Sequence, residues 1–293
     1  MKRLLAILLC TLSLTASPVH ADDPDGEASV SVSASGRYIG SSDFDDSSGG
    51  VQVTSGQLEI EAWGFSFSYT GDKYSWNDKQ ALPFGNGSDN PWDTLHLLSL
   101  GYEFDGDINK NWGYSMDLEL SSAFESEMSD SYGAALTGGF SYEFNDNWST
   151  RFGGRISGNS IDTEITPYLT VSYENFAKDG SGAFFTLGAP SSEAGYAFNK
   201  ASRIRASLDM FEGETYRLKD DSSVARKGYV ETSSMLVGLY YDWQATDSFF
   251  LSFGPEYHFG REMQLYDSDG DKLNDSHDLD SALGCSLDLR YTF

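Results

Sequence analysis

Residues 263–278 read MQLYDSDGDKLNDSHD, a run of aspartates dense enough to hold a hard cation. Counted from Asp267 as the first place of a calcium loop, Asp269, Asp271, Asp275 and Asp278 fall at the third, fifth, ninth and twelfth places, most of the oxygen-ligand positions of an EF-hand. An EF-hand also requires glycine at the sixth place and a helix on either side. Here Gly270 stands fourth, and both flanks alternate apolar and polar residues like strands. The run therefore reads as a hairpin loop whose Asp and Gly residues supply turn conformations. Weak calcium binding by the five carboxylates is the alternative, with the divalent cations that bridge lipopolysaccharide phosphates as a second source of metal.

A second group lies in PEYHFG, where His258 follows Glu256 by two residues and shares its strand face, an arrangement open to acid–base chemistry. Beyond residue 21 the only other histidines are His96 and His277. A barrel hydrolase or acyltransferase would also need a serine within reach of the base, and the spacing supplies none. Glycine loops with a strand-to-helix context, CxxC pairs and HExxH are all missing from the chain. No catalytic residue is assigned, and no cofactor is expected beyond weakly held calcium.

The third group is spread over the chain. By alternation Arg37, Arg151, Arg155, Arg203, Arg205 and Arg290 share one strand face with Glu59, Glu103, Asp117, Glu119, Glu143, Glu164, Asp209, Asp242, Glu256 and Asp288. Charges of both signs facing inward either line a pore or form a salt-bridge lattice that fills a barrel and holds it shut.

What positions these groups is a repeating two-residue rhythm. From Leu283 to Phe293 every odd residue is apolar and every even residue is small, polar or charged, and the same alternation recurs in WGYSMDLEL, YGAALTGGFSYEF, MLVGLYYDW and FFLSFGPEYHF. Such segments of about 9 to 11 residues are long enough to cross the hydrocarbon core when tilted. A soluble sandwich would bury an aliphatic face and show Lys and Glu on the other. Here the polar face is rich in Gly, Ser and Thr, and Trp63, Trp76, Trp92, Trp112, Trp148 and Trp243 stand at or beside candidate strand ends, where headgroups would meet a transmembrane barrel.

The pattern predicts an all-β, antiparallel, up-and-down transmembrane barrel of about fourteen strands. They lie near 28–38, 50–60, 63–76, 93–104, 111–123, 132–144, 148–157, 164–174, 183–189, 192–198, 202–217, 229–243, 248–266 and 281–293. Merging the short pair between 183 and 198, or the two strands that meet at residues 60–63, would give twelve. FDGDINKNW, FNDNW and WQATDS read as short periplasmic turns. SSDFDDSSGG, NDKQALPFGNGSDNP, KDDSSVARKG and the aspartate run read as outer loops.

Residues 1–21 read as a secretory signal peptide: Lys2 and Arg3, the apolar run LLAILLCTLSLTA, then small residues in VHA before Asp22. Residues 22–293 form a single domain without internal repeat or linker. Cys10 would leave with the leader, so Cys285 has no disulfide partner. The formal charge of −26, made more negative by loss of Lys2 and Arg3, excludes nucleic acid as a partner. Mean hydropathy is −0.39, yet 14% aromatics with 30 Gly and only 7 Pro fits β-structure rather than disorder.

The final residues carry a resemblance. Leu289, Tyr291 and Phe293 look like the closing signal of bacterial outer-membrane barrels, which the barrel-assembly machinery reads, and the last third resembles an uncharacterised family of outer-membrane β-barrels with an Asp-Gly loop and a closing strand ending in Arg, aromatic, Phe. The resemblance implies the bacterial outer membrane, with lipid and lipopolysaccharide as neighbours, and carries no activity. The expected function is a small channel or passive transport protein, with a closed structural or surface-interaction barrel as the alternative and a hydrolase or acyltransferase behind both. Oligomeric state is left open.

Overall fold

The computed structural model describes residues 30–45 and 47–293, with backbone alone at 211 and 212; the expected leader, residues 1–21, lies outside them. The strands are β1 (Val30–Asp43), β2 (Gly50–Ala62), β3 (Phe65–Asn77), β4 (Thr94–Asp107), β5 (Trp112–Phe124), β6 (Tyr132–Asn145), β7 (Trp148–Gly158), β8 (Thr163–Phe176), β9 (Gly182–Ala189), β10 (Ser191–Asn199), β11 (Ser202–Arg217), β12 (Tyr229–Gln244), β13 (Phe249–Tyr266), β14 (His277–Leu279) and β15 (Ala282–Thr292). Each pairs antiparallel with its chain neighbour. β13 passes over the three-residue β14 to pair with β15, and β15 returns to β1, closing a wall of fourteen strands. The short β9 and β10 are separate strands, so the count is fourteen and not twelve.

Closure pairs the strand edges that a bilayer would otherwise leave without hydrogen bonds, apart from Thr163–Tyr168 of β8 above the short β9–β10 hairpin. At the join Val32 sits opposite Tyr291, and the Phe293 amide donates to the Val30 carbonyl at 2.9 Å. The exterior is apolar: Leu58, Ile60, Leu100, Leu118, Leu120, Leu169, Leu239 and Leu287 all point outward and are exposed. Short turns and the described termini lie at one end, and long loops at the other. The two-residue turn Trp63–Gly64 has both residues at positive φ (54° and 79°), the twist that suits such a hairpin. A closed barrel with a lipid-facing apolar band and aromatic ends is an outer-membrane-type transmembrane barrel.

The strands run past the bilayer at the loop end, and there the interior changes character. Three register irregularities, at Ile39/Ser42 in β1, Asp209/Glu212 in β11 and opposite Ser233/Met235 in β13, each flip the side-chain alternation by one residue and bend the strand. Gly260, at φ 57°, supplies the bulge in β13. Above these bends β11, still paired with β12 as far as Arg217 opposite Tyr229, loses its partner on the β10 side and reaches β5, where Arg217 pairs in parallel with Phe124.

Candidate functional site: the barrel lumen

The lumen changes from wet to dry along its axis. Near the short-turn end, inward-facing Glu103, Asp105, Glu143 and Arg151 are exposed to solvent. Midway, one wall carries a buried polar network. The Tyr240 hydroxyl donates to Glu256 Oε1 at 2.9 Å, while Arg37 Nε and His258 Nε2 each lie 3.2 Å from Glu256 Oε2. Beside it, Asp242 Oδ2 accepts from Arg203 Nε at 2.7 Å and Arg205 Nε at 2.9 Å, and its Oδ1 accepts from Ser252 Oγ at 2.6 Å. The Arg205 guanidinium also stacks 4.4 Å over the Tyr240 ring. On the facing wall, Arg155 Nη2 meets Glu119 Oε2 at 2.8 Å.

Alternation on β1, β11, β12 and β13, and on β5 and β7 across the lumen, is what brings these side chains together: each comes from an inward position below the bends, where a charge buried from water must find a partner. Asp288 and Arg290 also stand on this inward face of β15, opposite Ser252 and Phe250 of β13. Asp117 shares the inward face of β5 with Glu119 and is paired in register with Glu103 of β4. His258 is fully buried, and among the described residues its one side-chain partner is Glu256; no hydroxyl bonds to its ring. An acid and a base are therefore adjacent, without a nucleophile in contact.

The outer mouth holds what the alternation did not reveal. Val51 and Val53 of β2, Tyr74 and Trp76 of β3, Leu95 of β4, and Met263 and Leu265 of β13 point inward and are buried in an apolar core. The β3–β4 loop folds into the mouth and adds Phe84 and Trp92, the latter without exposed surface. Trp76 and Trp92 meet edge to face at 4.8 Å, the Trp76 indole N–H donates to the Trp92 carbonyl at 2.7 Å, and Phe84 stacks on Trp92 at 5.7 Å. Leu218 and Ala225 of the β11–β12 loop close it from the opposite wall. The expectation that all six tryptophans mark lipid interfaces is corrected here: Trp63, Trp112, Trp148 and Trp243 do lie exposed at the short-turn end, whereas Trp76 and Trp92 are core residues of the plug. The signal was present as apolar residues at inward positions: Val51-x-Val53, Tyr74-x-Trp76, Leu95-x-Leu97 and Met263-x-Leu265.

The aspartate run does not gather. Asp267 Oδ1 is occupied by the amides of Asp269 (2.9 Å) and Asp271 (3.0 Å), Asp269, Asp271 and Asp275 are exposed, and Asp278 belongs to β14, paired with Glu262. Among the described residues, no three His, Cys, Asp or Glu side chains converge as metal ligands.

No family model matches the chain, and no curated protein matches it. Among solved structures it is similar to OprB of Pseudomonas putida (10% identity, 91% of this chain and 94% of that one, TM-score 0.38) and to an outer-membrane channel of Pseudomonas putida F1 (9% identity, 91% and 95%, TM-score 0.45). The KdgM porin in complex with oligogalacturonate is a third (9% identity, 89% and 99%, TM-score 0.36). These likenesses concern architecture alone.

Proposed function

We propose that the protein is a gated channel of the bacterial outer membrane that passes small hydrophilic solutes passively, with the mouth plug as its gate. The observation that carries this reading is the gradient inside one barrel: a charged vestibule open at the short-turn end, and a mouth closed by loop side chains, strand tips and the short β5–β11 pairing. Loop packing opens at lower cost than a barrel wall, because the wall strands have no other partners in lipid. The acidic excess of the chain favours cations, since carboxylates in a narrow low-dielectric passage concentrate them. A permanently closed structural barrel is the second reading, favoured by the stacked Trp76, Phe84 and Trp92.

Planar-bilayer conductance of the refolded protein separates the two. The gated channel gives brief openings in the wild type and long ones in Trp92→Ala, with a reversal potential on the cation side. Silence in both proteins, with correct heat-dependent gel mobility, establishes the closed barrel.

A further inference from the structure

The barrel wall is incomplete at one place. The β9–β10 hairpin has 8 and 9 residues, whereas its neighbours β8 and β11 have 14 and 16. β8 pairs with β9 only from Leu169 downward, and the last bond from the hairpin to β11 is Met210 N–H to the Pro190 carbonyl at 3.0 Å. Above that point β11 turns inward to β5, tied there by the Glu125 amide to the Arg217 carbonyl (2.8 Å) and the Lys219 amide to Glu125 Oε2 (3.0 Å). Among the described residues, no strand pairs with Thr163–Tyr168 of β8 on the side facing β11.

That free edge is protected against strand addition. The Glu174 amide bonds to Asn147 on the β7 side, and the Leu169 and Asn175 carbonyls crowd Gly188 and Gly182 on the β9 side, so odd residues of β8 direct their backbone groups toward the gap. Pro167 is one of them, and it removes the amide that a docking strand would need. Eight residues of β9, at about 3.3 Å rise and a tilt of about 40°, place the lip roughly 20 Å above the inner interface, within an apolar band about 25 Å tall. Exposed Ile165, Leu169 and Leu187 bring the lipid-facing surface up to it.

Behind the gap is a cavity of about 50 Å³ whose lining, otherwise of small and neutral residues, carries six charged side chains, Glu119, Arg155, Asp162, Glu164, Glu214 and Glu231. Five of these six are carboxylates; Glu119 is paired with Arg155, and Glu231 accepts from the Tyr266 hydroxyl. The opening at the top is spanned by a hydrogen bond from Asn159 Nδ2 to Thr215 Oγ1 at 3.3 Å. A hydrocarbon lip beside an acidic cavity suits a molecule with an apolar chain and a cationic head.

We propose that the gap between β8 and β11 is a lateral portal through which a cationic amphiphile, its chain in the outer leaflet and its ammonium in the acidic cavity, moves between bilayer and lumen. This rests on the channel reading for the lumen but uses a different exit. The test uses full-length protein carrying Cys285→Ser in liposomes, with dodecylammonium as probe, dodecanol as the uncharged control and methylammonium as the chainless one. Joining the lips through Asn159→Cys and Thr215→Cys is expected to cut dodecylammonium flux about tenfold, reversibly by thiol reductant, and Glu164→Gln with Glu214→Gln and Glu231→Gln to weaken its binding about tenfold with dodecanol unaffected. Flux equal in locked and reduced protein, or equal binding by the carboxamide variant, overturns the portal. So does methylammonium binding as tightly as dodecylammonium, which would leave only a cation site. Lock-sensitive flux in a protein without axial conductance upholds the portal and overturns the axial channel.

Discussion

Asp242 is the most heavily used side chain in the lumen: two arginines and a serine share its two oxygens, and its side chain is 1% exposed. Removing one partner of such a pair is costly because the others are left desolvated. Asp242→Ala is expected to lower stability by about 3 kcal/mol, since the arginines keep partial access to water, while Ser252→Ala, which removes one neutral donor, is expected to cost about 1 kcal/mol. Urea unfolding in detergent, followed by heat-modifiable gel mobility, measures both, and equal costs would contradict the ranking. At the aspartate loop the residues act singly. Because Asp267 serves its own turn and the other carboxylates diverge, the melting temperature is expected to be the same in calcium and in chelator. A calcium-dependent rise that Asp267→Asn, Asp269→Asn and Asp271→Asn abolish would establish a metal site there.

Among the elements, β15 and the β5–β11 crossing govern different events. β15 closes the barrel, and its terminal Phe293 packs against Tyr291 at 4.8 Å while bonding to β1. Deleting Phe293 is expected to reduce insertion into the outer membrane, read as loss of surface exposure and of heat-dependent mobility. In the proposed channel the crossing holds the mouth. Glu125, in the β5–β6 loop, has its carboxyl pushed above the ordinary 4.5 chiefly by burial, against the opposing pull of Lys219. A mouth that opens returns Glu125 to water and to its ordinary value, so the closed form binds the proton more tightly. Closure therefore strengthens as pH falls through the raised value toward 4.5. Asp220, held below its usual range by the hydrogen bond from Arg217, acts only at more acidic pH, where its protonation loosens the loop. Open probability is expected to fall between neutral pH and about pH 4.5, and Glu125→Gln to flatten that dependence; a rise on acidification would refute the assignment. The strands that meet here were legible as strands, because alternation over ten residues has one simple solution in a membrane. Their bends were not. A bulge adds one residue and inverts every later face, and only partner strands reveal where Asp209, Ile39 and Gly260 break step.

At the scale of the molecule, lipid contact and lumen polarity were readable because they repeat on every strand, whereas the plug depends on loops meeting across the barrel, a contact that no local pattern encodes. Trp92 illustrates the difference: beside a strand end it has the sequence context of an interface anchor, and only the inward fold of residues 78–93 buries it. The result is a barrel with two unlike ends. Trp63, Trp112, Trp148 and Trp243 ring the short-turn end, facing lipid or headgroups, while Trp76 and Trp92 sit dry inside the opposite mouth. This asymmetry sets the orientation. Long loops outside and short turns inside put an epitope at Gly270 within reach of antibody on intact cells, and one at Asn109 out of reach. It also has an optical signature. In liposomes of brominated lipid, a quencher confined to the acyl chains reaches the exposed ring of four and not the buried pair. Emission is therefore expected to split into a quenched and a protected component. Trp76→Phe and Trp92→Phe should remove the protected component, and Trp112→Phe with Trp148→Phe should shrink the quenched one. Trp92→Ala, expected to open the mouth under the proposed gating, should expose Trp76 to aqueous acrylamide as well. Complete quenching of the wild type by brominated lipid would mean that the mouth is not packed as described, and the proposed gate would fall with it.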